Sequence, residues 1–167
     1  MPASSPPVLY TPAQHARRDA TAWTLVQGVL APVQFLIFGI SLYLVLRSLQ
    51  TGEHTDWALA SVVLKTVVLY AIMVTGAIWE KVVFGQYLFA PAFYWEDVVS
   101  MGVMALHTAY VWAWWQGAWS ANDLLLLALA AYGSYAINAA QYIRKLRMAR
   151  LQKPATSLPT SGAQAHT

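Results

Sequence analysis

Four stretches of the chain are each long enough to cross a bilayer and almost free of charge. They are Thr24–Leu46, Trp57–Trp79, Val98–Trp119 and Leu124–Ile143, of 23, 23, 22 and 20 residues. A helix needs roughly 20 predominantly apolar residues to span the hydrocarbon core. Of the 10 Lys/Arg and 7 Asp/Glu residues, only Lys65 falls inside them. Packed as the core of a soluble protein, four such helices would leave no polar shell. None shows the two-residue alternation of an outer-membrane barrel strand. Trp57, Trp79 and Trp119 stand at window ends, where an interfacial aromatic belt sits. The pattern predicts an all-α, integral membrane four-helix bundle. Composition agrees, with 58% apolar and 10% charged residues, against about 45–50% and about 25% in soluble domains.

The same counts exclude several chemistries. The chain has no Cys, which removes disulfide frameworks, Fe–S clusters, thiolate zinc sites and covalent c-type haem. A formal charge of +3 gives no reason to expect nucleic acid. His107 is the one histidine in any window, so a bis-histidine haem within one subunit is excluded. No Rossmann glycine pattern or P-loop is present.

Lys and Arg outside the windows are distributed unevenly. Arg17 and Arg18 precede the first window, Lys81 lies in the second loop, and Arg144, Lys145, Arg147, Arg150 and Lys153 follow the last; the opposite side holds Arg47 alone. The positive-inside rule then places both termini and the second loop in the cytoplasm. No cleavable signal peptide is expected, because the first apolar stretch is of full membrane length and starts late. Residues 1–16 and 151–167 read as disordered tails flanking one transmembrane domain, 17–150, being rich in Pro, Ser, Thr and Ala with no core pattern.

The second loop is unusual. Residues 79–97 are aromatic throughout (Phe84, Tyr87, Phe89, Phe93, Tyr94, Trp95), and they begin and end in acid, with Glu80 at one end and Glu96 and Asp97 at the other. Gly85 and Pro91 should break helix in between. An interfacial segment at headgroup level accounts for the aromatics and leaves the acids unexplained. Desolvation at the mouths of membrane helices raises a carboxyl pKa, and a carboxylic acid kept neutral near pH 7 is what a general acid requires. A catalytic or proton-handling role and a structural helix cap both stay open for the three acids.

Periodicity adds interior polar stripes. Glu96, Ser100, Val103 and His107 return to one helix face, with His107 about 16 Å below Glu96 at the helical rise. His107 is either a helix–helix hydrogen-bonding group or a ligand contact. Gln27, Gln34 and Ser41 repeat at seven residues beside Pro32, which should kink its helix, and Tyr135, Asn138 and Tyr142 form a further stripe next to Gln141. Such residues commonly join membrane helices; Asn138 and Gln141, level with the acids, are the better candidates for ligand contact. Lys65 costs about 2.5–3.5 kcal/mol at the centre of a span unless paired or snorkelling. It is about 22 Å from Glu80 along the helix, so a structural role or an interfacial snorkel is expected.

The runs Ile78-Trp79-Glu80-Lys81, Phe84-Gly85-Gln86-Tyr87-Leu88-Phe89-Ala90-Pro91-Ala92-Phe93 and Trp95-Glu96-Asp97-Val98-Val99-Ser100-Met101 closely resemble the 3-vinyl (bacterio)chlorophyllide hydratase family. So do Trp23 through Pro32 and Leu106-His107-Thr108-Ala109-Tyr110, and the similarity spans roughly residues 17–150. The resemblance implies hydration of the C3 vinyl group of chlorophyllide a, or a related bacteriochlorin, to 1-hydroxyethyl in bacteriochlorophyll a synthesis. It implies a tetrapyrrole substrate, no cofactor, and a multi-pass protein of the bacterial cytoplasmic (inner or intracytoplasmic) membrane with its site toward the cytoplasm. Homo-oligomerisation, or contact with other pigment-biosynthesis enzymes, stays open.

Such a hydration needs a protonated acid near the vinyl, a base to hold water and a flat apolar slot. Glu80 is the first choice for the acid, with Glu96 or Asp97 as base, or the reverse. Phe89, Phe93, Tyr94 and Trp95 would stack on the macrocycle. Asn138 and Gln141 would add polar contacts, and His107 is a candidate axial ligand to the substrate's magnesium or a donor to a ring substituent; no other metal site is expected. Arg144, Lys145 and Arg147 suit either the substrate's propionate or anionic lipid. A small proton-coupled transporter and a pigment-binding assembly factor without turnover are the alternatives.

Overall fold

The computed structural model describes residues 9–151. It is all helical, with α1 Pro12–Ala20, α2 Ala22–Thr51, α3 Thr55–Phe84, α4 Tyr94–Gln116 and α5 Ala121–Leu151. The four-helix bundle predicted from the apolar windows is therefore corrected to five helices. The extra one, α1, starts inside the stretch assigned to the N-terminal tail. Its origin is local: Thr11 caps it, with the Thr11 hydroxyl accepting from Gln14 N–H and the Gln14 side chain accepting from Thr11 N–H, while Pro12 occupies the first turn. The tail assignments at 1–8 and 152–167 lie outside the described residues.

Among the described residues, three helices are long and apolar enough to cross a membrane: α2, α3 and Ala121–Met148 of α5. α4 is long enough, but Ser100, His107, Thr108 and its row of Trp and Tyr dilute its apolar character. By length and composition, then, three spans stand where four windows were predicted.

α2 packs chiefly along α3 and α4 along α5, with α1 laid on α3. Interhelical hydrogen bonds fix the antiparallel registers: Ser48 with Thr55 (2.9 Å), Ser41 with Ser61 (2.6 Å) and Gln27 with Thr75 (2.7 Å) across α2–α3, and Asn138 with Ser100 (2.8 Å) across α4–α5. α2 continues unbroken through Pro32. Polarity is inverted relative to a soluble protein. Leu25, Leu36, Val67, Val74 and Leu126 face outward, while Gln34, Ser41, Lys65, Glu80, Asp97 and His107 are buried. Apolar atoms facing out and polar ones facing in is the arrangement a hydrocarbon solvent imposes.

Candidate active site

The site forms where α3 ends and α4 begins. Gly85 closes α3 in the left-handed region (φ 91°), its N–H donating to Lys81 O at 3.0 Å; this is the usual glycine stop. Residues 85–93 cross to α4 without regular helix, Phe93 N–H turning back onto Ala90 O at 2.8 Å. Phe89 sits at φ 60°, a left-handed conformation that costs a non-glycine residue roughly 1–2 kcal/mol.

That geometry aims two backbone amides at two of the acids. Phe89 N–H donates to Asp97 Oδ2 at 2.7 Å, and Ala90 N–H donates to Glu80 Oε2 at 3.3 Å. Glu80, near the end of α3, and Asp97, in the first turn of α4, converge on the Phe89–Ala90 corner, near enough for the protonation of one carboxyl to bear on the other. Tyr142 from α5 adds a donor to Asp97 Oδ1 at 3.3 Å. Asp97 therefore collects two donors and Glu80 one, which favours charge on Asp97 and the proton on Glu80. Burial nevertheless pushes the Asp97 carboxyl up from the usual carboxylate range, and its donors offset this only in part.

Glu96 points elsewhere. Its Oε2 pairs with Lys145 Nζ at 2.5 Å, and that ammonium also lies 5.0 Å from the Phe93 ring centroid. One of the two acids at the start of α4 is thus half of an ion pair, and the other is turned toward Glu80 and the connecting segment.

The aromatics divide in the same way. Phe89, Tyr94 and Trp95 form an exposed run, with ring centroids 5.8 Å and 5.4 Å apart. Phe93 instead turns inward, stacking on Tyr142 at 6.0 Å and meeting Trp79 and Phe84 edge-on. Tyr10 joins this cluster, and Arg17 of α1 donates to Val83 O at 3.0 Å, so α1 covers the acid end.

Asn138 reaches the site indirectly, through Ser100, whose hydroxyl donates to Glu96 O at 2.8 Å. Gln141 Oε1 is buried without a hydrogen bond. His107 is not with the acids: it is fully buried, Nδ1 bonded to Val103 O at 2.8 Å and its ring beside Tyr132. Lys65 does not snorkel; it is fully buried with Nζ 3.5 Å from the Tyr135 ring centroid. Tyr142, assigned to helix joining from its stripe, and Lys145, assigned to propionate or lipid, both bind site carboxylates directly.

The model of the 2-vinyl bacteriochlorophyllide hydratase family matches residues 10–148. A protein of that name from Rhodobacter capsulatus is 65% identical over 144 residues, covering 86% of this chain and 84% of its own. One from Cereibacter sphaeroides is 66% identical over 148 residues, covering 88% and 91%. The chain belongs to the 2-vinyl bacteriochlorophyllide hydratase family. The hydratase match begins at Tyr10 and so takes in α1 and its cover over the acids. No solved structure matches this hydratase-family chain.

Proposed function

We propose that the protein adds water across the ring-conjugated vinyl group of a (bacterio)chlorophyllide, with the Glu80–Asp97 pair supplying and recovering the proton. The observation that carries this reading is the pair itself: two buried carboxyls held by the amides of adjacent residues, Phe89 and Ala90, beside an exposed aromatic run. Family membership supplies the substrate class.

The vinyl approaches the pair from the exposed aromatic run. Glu80 gives its proton to the terminal vinyl carbon; a C–H bond forms and the Glu80 O–H breaks. The cation left on the carbon next to the ring spreads into the macrocycle. Water forms a C–O bond there and passes its surplus proton to the carboxylate pair, which regains its starting state. No electrons are gained or lost overall. General acid–base assistance of this kind contributes typically about 10²–10⁴-fold.

Phe89, Tyr94 and Trp95 receive the macrocycle face, while Phe93 backs them from inside. Glu96 and Lys145 hold the start of α4 against α5, and Ser100 and Asn138 hold the next turn. Arg17, Lys81 and Lys145 lie at the acid end, with Arg144 and Arg147 beside Lys145 on α5. An end this basic favours the cytoplasmic face of the bacterial membrane.

The test is conversion of 3-vinyl chlorophyllide by membranes carrying the protein, without added cofactor, in 18O-labelled water. The expected product is the hydroxyethyl pigment carrying the label. Pigment bound but unchanged by folded protein means an assembly factor; flux of unchanged pigment driven by a proton gradient means a transporter.

A further inference from the structure

A second group of buried polar side chains lies at the middle of the bundle, and the proposed hydration makes no use of it. Lys65 of α3 and His107 of α4 have no solvent exposure, and Gln34 of α2 is 2% exposed. Three helices each contribute one member. Among the described residues, Lys65 Nζ, His107 Nε2 and both amide atoms of Gln34 have no hydrogen-bond partner. Buried polar atoms are satisfied in nearly all folded proteins, by protein or by ordered solvent. Four orphaned atoms on three adjoining helices point to a guest.

Lys65 and His107 each pack on a tyrosine of α5, and Gln34 precedes on α2 the Phe35 that meets one of those rings. The Tyr135 ring takes one side of the Lys65 ammonium at 3.5 Å, and that ring is flanked by Phe35 and Phe38, which bracket it from the Gln34 stretch of α2. The His107 ring lies 5.9 Å from that of Tyr132, one turn away on α5. Below this level Tyr132 is already bonded to Ser41.

Hydrogen-bond chemistry selects the guest. Val103 O accepts from His107 Nδ1, so Nδ1 carries the ring proton and Nε2 presents a bare lone pair. Lys65 Nζ offers only donors. A carboxylate or halide would satisfy Lys65 and face the Nε2 lone pair; a metal cation would satisfy Nε2 and face the lysine. A hydroxyl both accepts from Nζ and donates to Nε2, and the Gln34 amide, with a donor and an acceptor, extends the same chain. We propose that Lys65, His107 and Gln34 bind a small internal water cluster that bridges α2, α3 and α4 at the centre of the bundle. Internal water of this kind makes about three hydrogen bonds to otherwise unsatisfied groups.

The site is independent of the hydration chemistry, and its test does not depend on turnover. Full-length protein in bilayers, carrying 15N-histidine, is measured by magic-angle-spinning NMR, with the His107 signals assigned by their loss in His107→Phe. The expected spectrum has a protonated Nδ1, an unprotonated hydrogen-bonded Nε2, and a cross-peak between Nε2 and water protons. Lys65→Met should shift the Nε2 resonance and remove that cross-peak. A wild-type Nε2 with no water cross-peak overturns the proposal, as does a direct coupling between Nε2 and 15N-labelled Lys65 Nζ. The wild-type spectrum decides even if Lys65→Met fails to fold.

Discussion

The acid end and the bundle centre both bury polar side chains, yet they treat them in opposite ways. At the acid end every carboxylate has its donors in place: Ala90 N–H on Glu80, Phe89 N–H and Tyr142 on Asp97, Lys145 on Glu96. At the centre, atoms of Gln34, Lys65 and His107 go without. The first region was built around its charges by bending the chain, down to a left-handed phenylalanine. The second is built from continuous helices, whose amides are already committed to their own ladders. Where helix stops, backbone can cradle an acid; where helix continues, only side chains or water can.

Substitutions at the two ends should therefore differ in kind. The largest effect is expected from Glu80→Gln and Asp97→Asn, each lowering hydration kcat by about 10²–10⁴-fold while pigment binding persists in absorbance titrations. An equal loss from His107→Phe, with Glu80→Gln active, would invert the comparison. Activity should also fall as pH rises through the titration of the pair, because the acid must be protonated. The same raised Asp97 carboxyl contributes stability that is complete at low pH and lost as pH climbs through its folded value. Asp97→Asn should flatten that dependence in detergent unfolding series.

Next, Phe93→Ala removes the buried ring that joins Tyr10, Trp79 and Tyr142 and should cost about 3–5 kcal/mol of stability, read by thermal unfolding. Lys145→Met strips Glu96 of its charged donor, with an expected loss of about 1.5–3 kcal/mol that Lys145→Arg should partly restore. The smallest effect is expected from Trp95→Ala, an exposed ring worth about 0.5–1.5 kcal/mol in stacking. It should appear as weaker pigment binding and leave the melting temperature in place. A melting change as large as that of Phe93→Ala would erase the distinction between the exposed and buried aromatics.

Much of this architecture can be read from residue order alone. Long uncharged runs place α2, α3 and α5, and the acids stand out because so few charges exist. The helix ends are harder. α3 continues five residues beyond the Trp79 boundary to Phe84, since an apolar window marks where lipid ends and not where hydrogen bonding stops. α1 is hidden by the Pro-, Ser- and Thr-rich residues before it, although Thr11-Pro12-Ala13-Gln14 spells its capping box. The pairing of the acids depends on helix phase. Glu96 and Asp97 are neighbours in the chain but project about 100° apart around α4, so one meets Lys145 on α5 and the other meets Glu80 on α3. No spacing within a single helix reveals the angle at which its neighbours pack. The inward turn of Phe93 follows from the same cause: it lies beneath a loop whose course is set by two carboxylates from other segments.

The proposed return of the proton to the Glu80–Asp97 pair has an electrical consequence. On the proposed mechanism the proton that leaves the pair is replaced from the attacking water at the same place, so a turnover displaces no net charge along the membrane normal. A catalyst built this way works alike in an energised and a de-energised bilayer. Its throughput follows pigment and water supply, and it can sit in a coupled photosynthetic membrane without short-circuiting the potential.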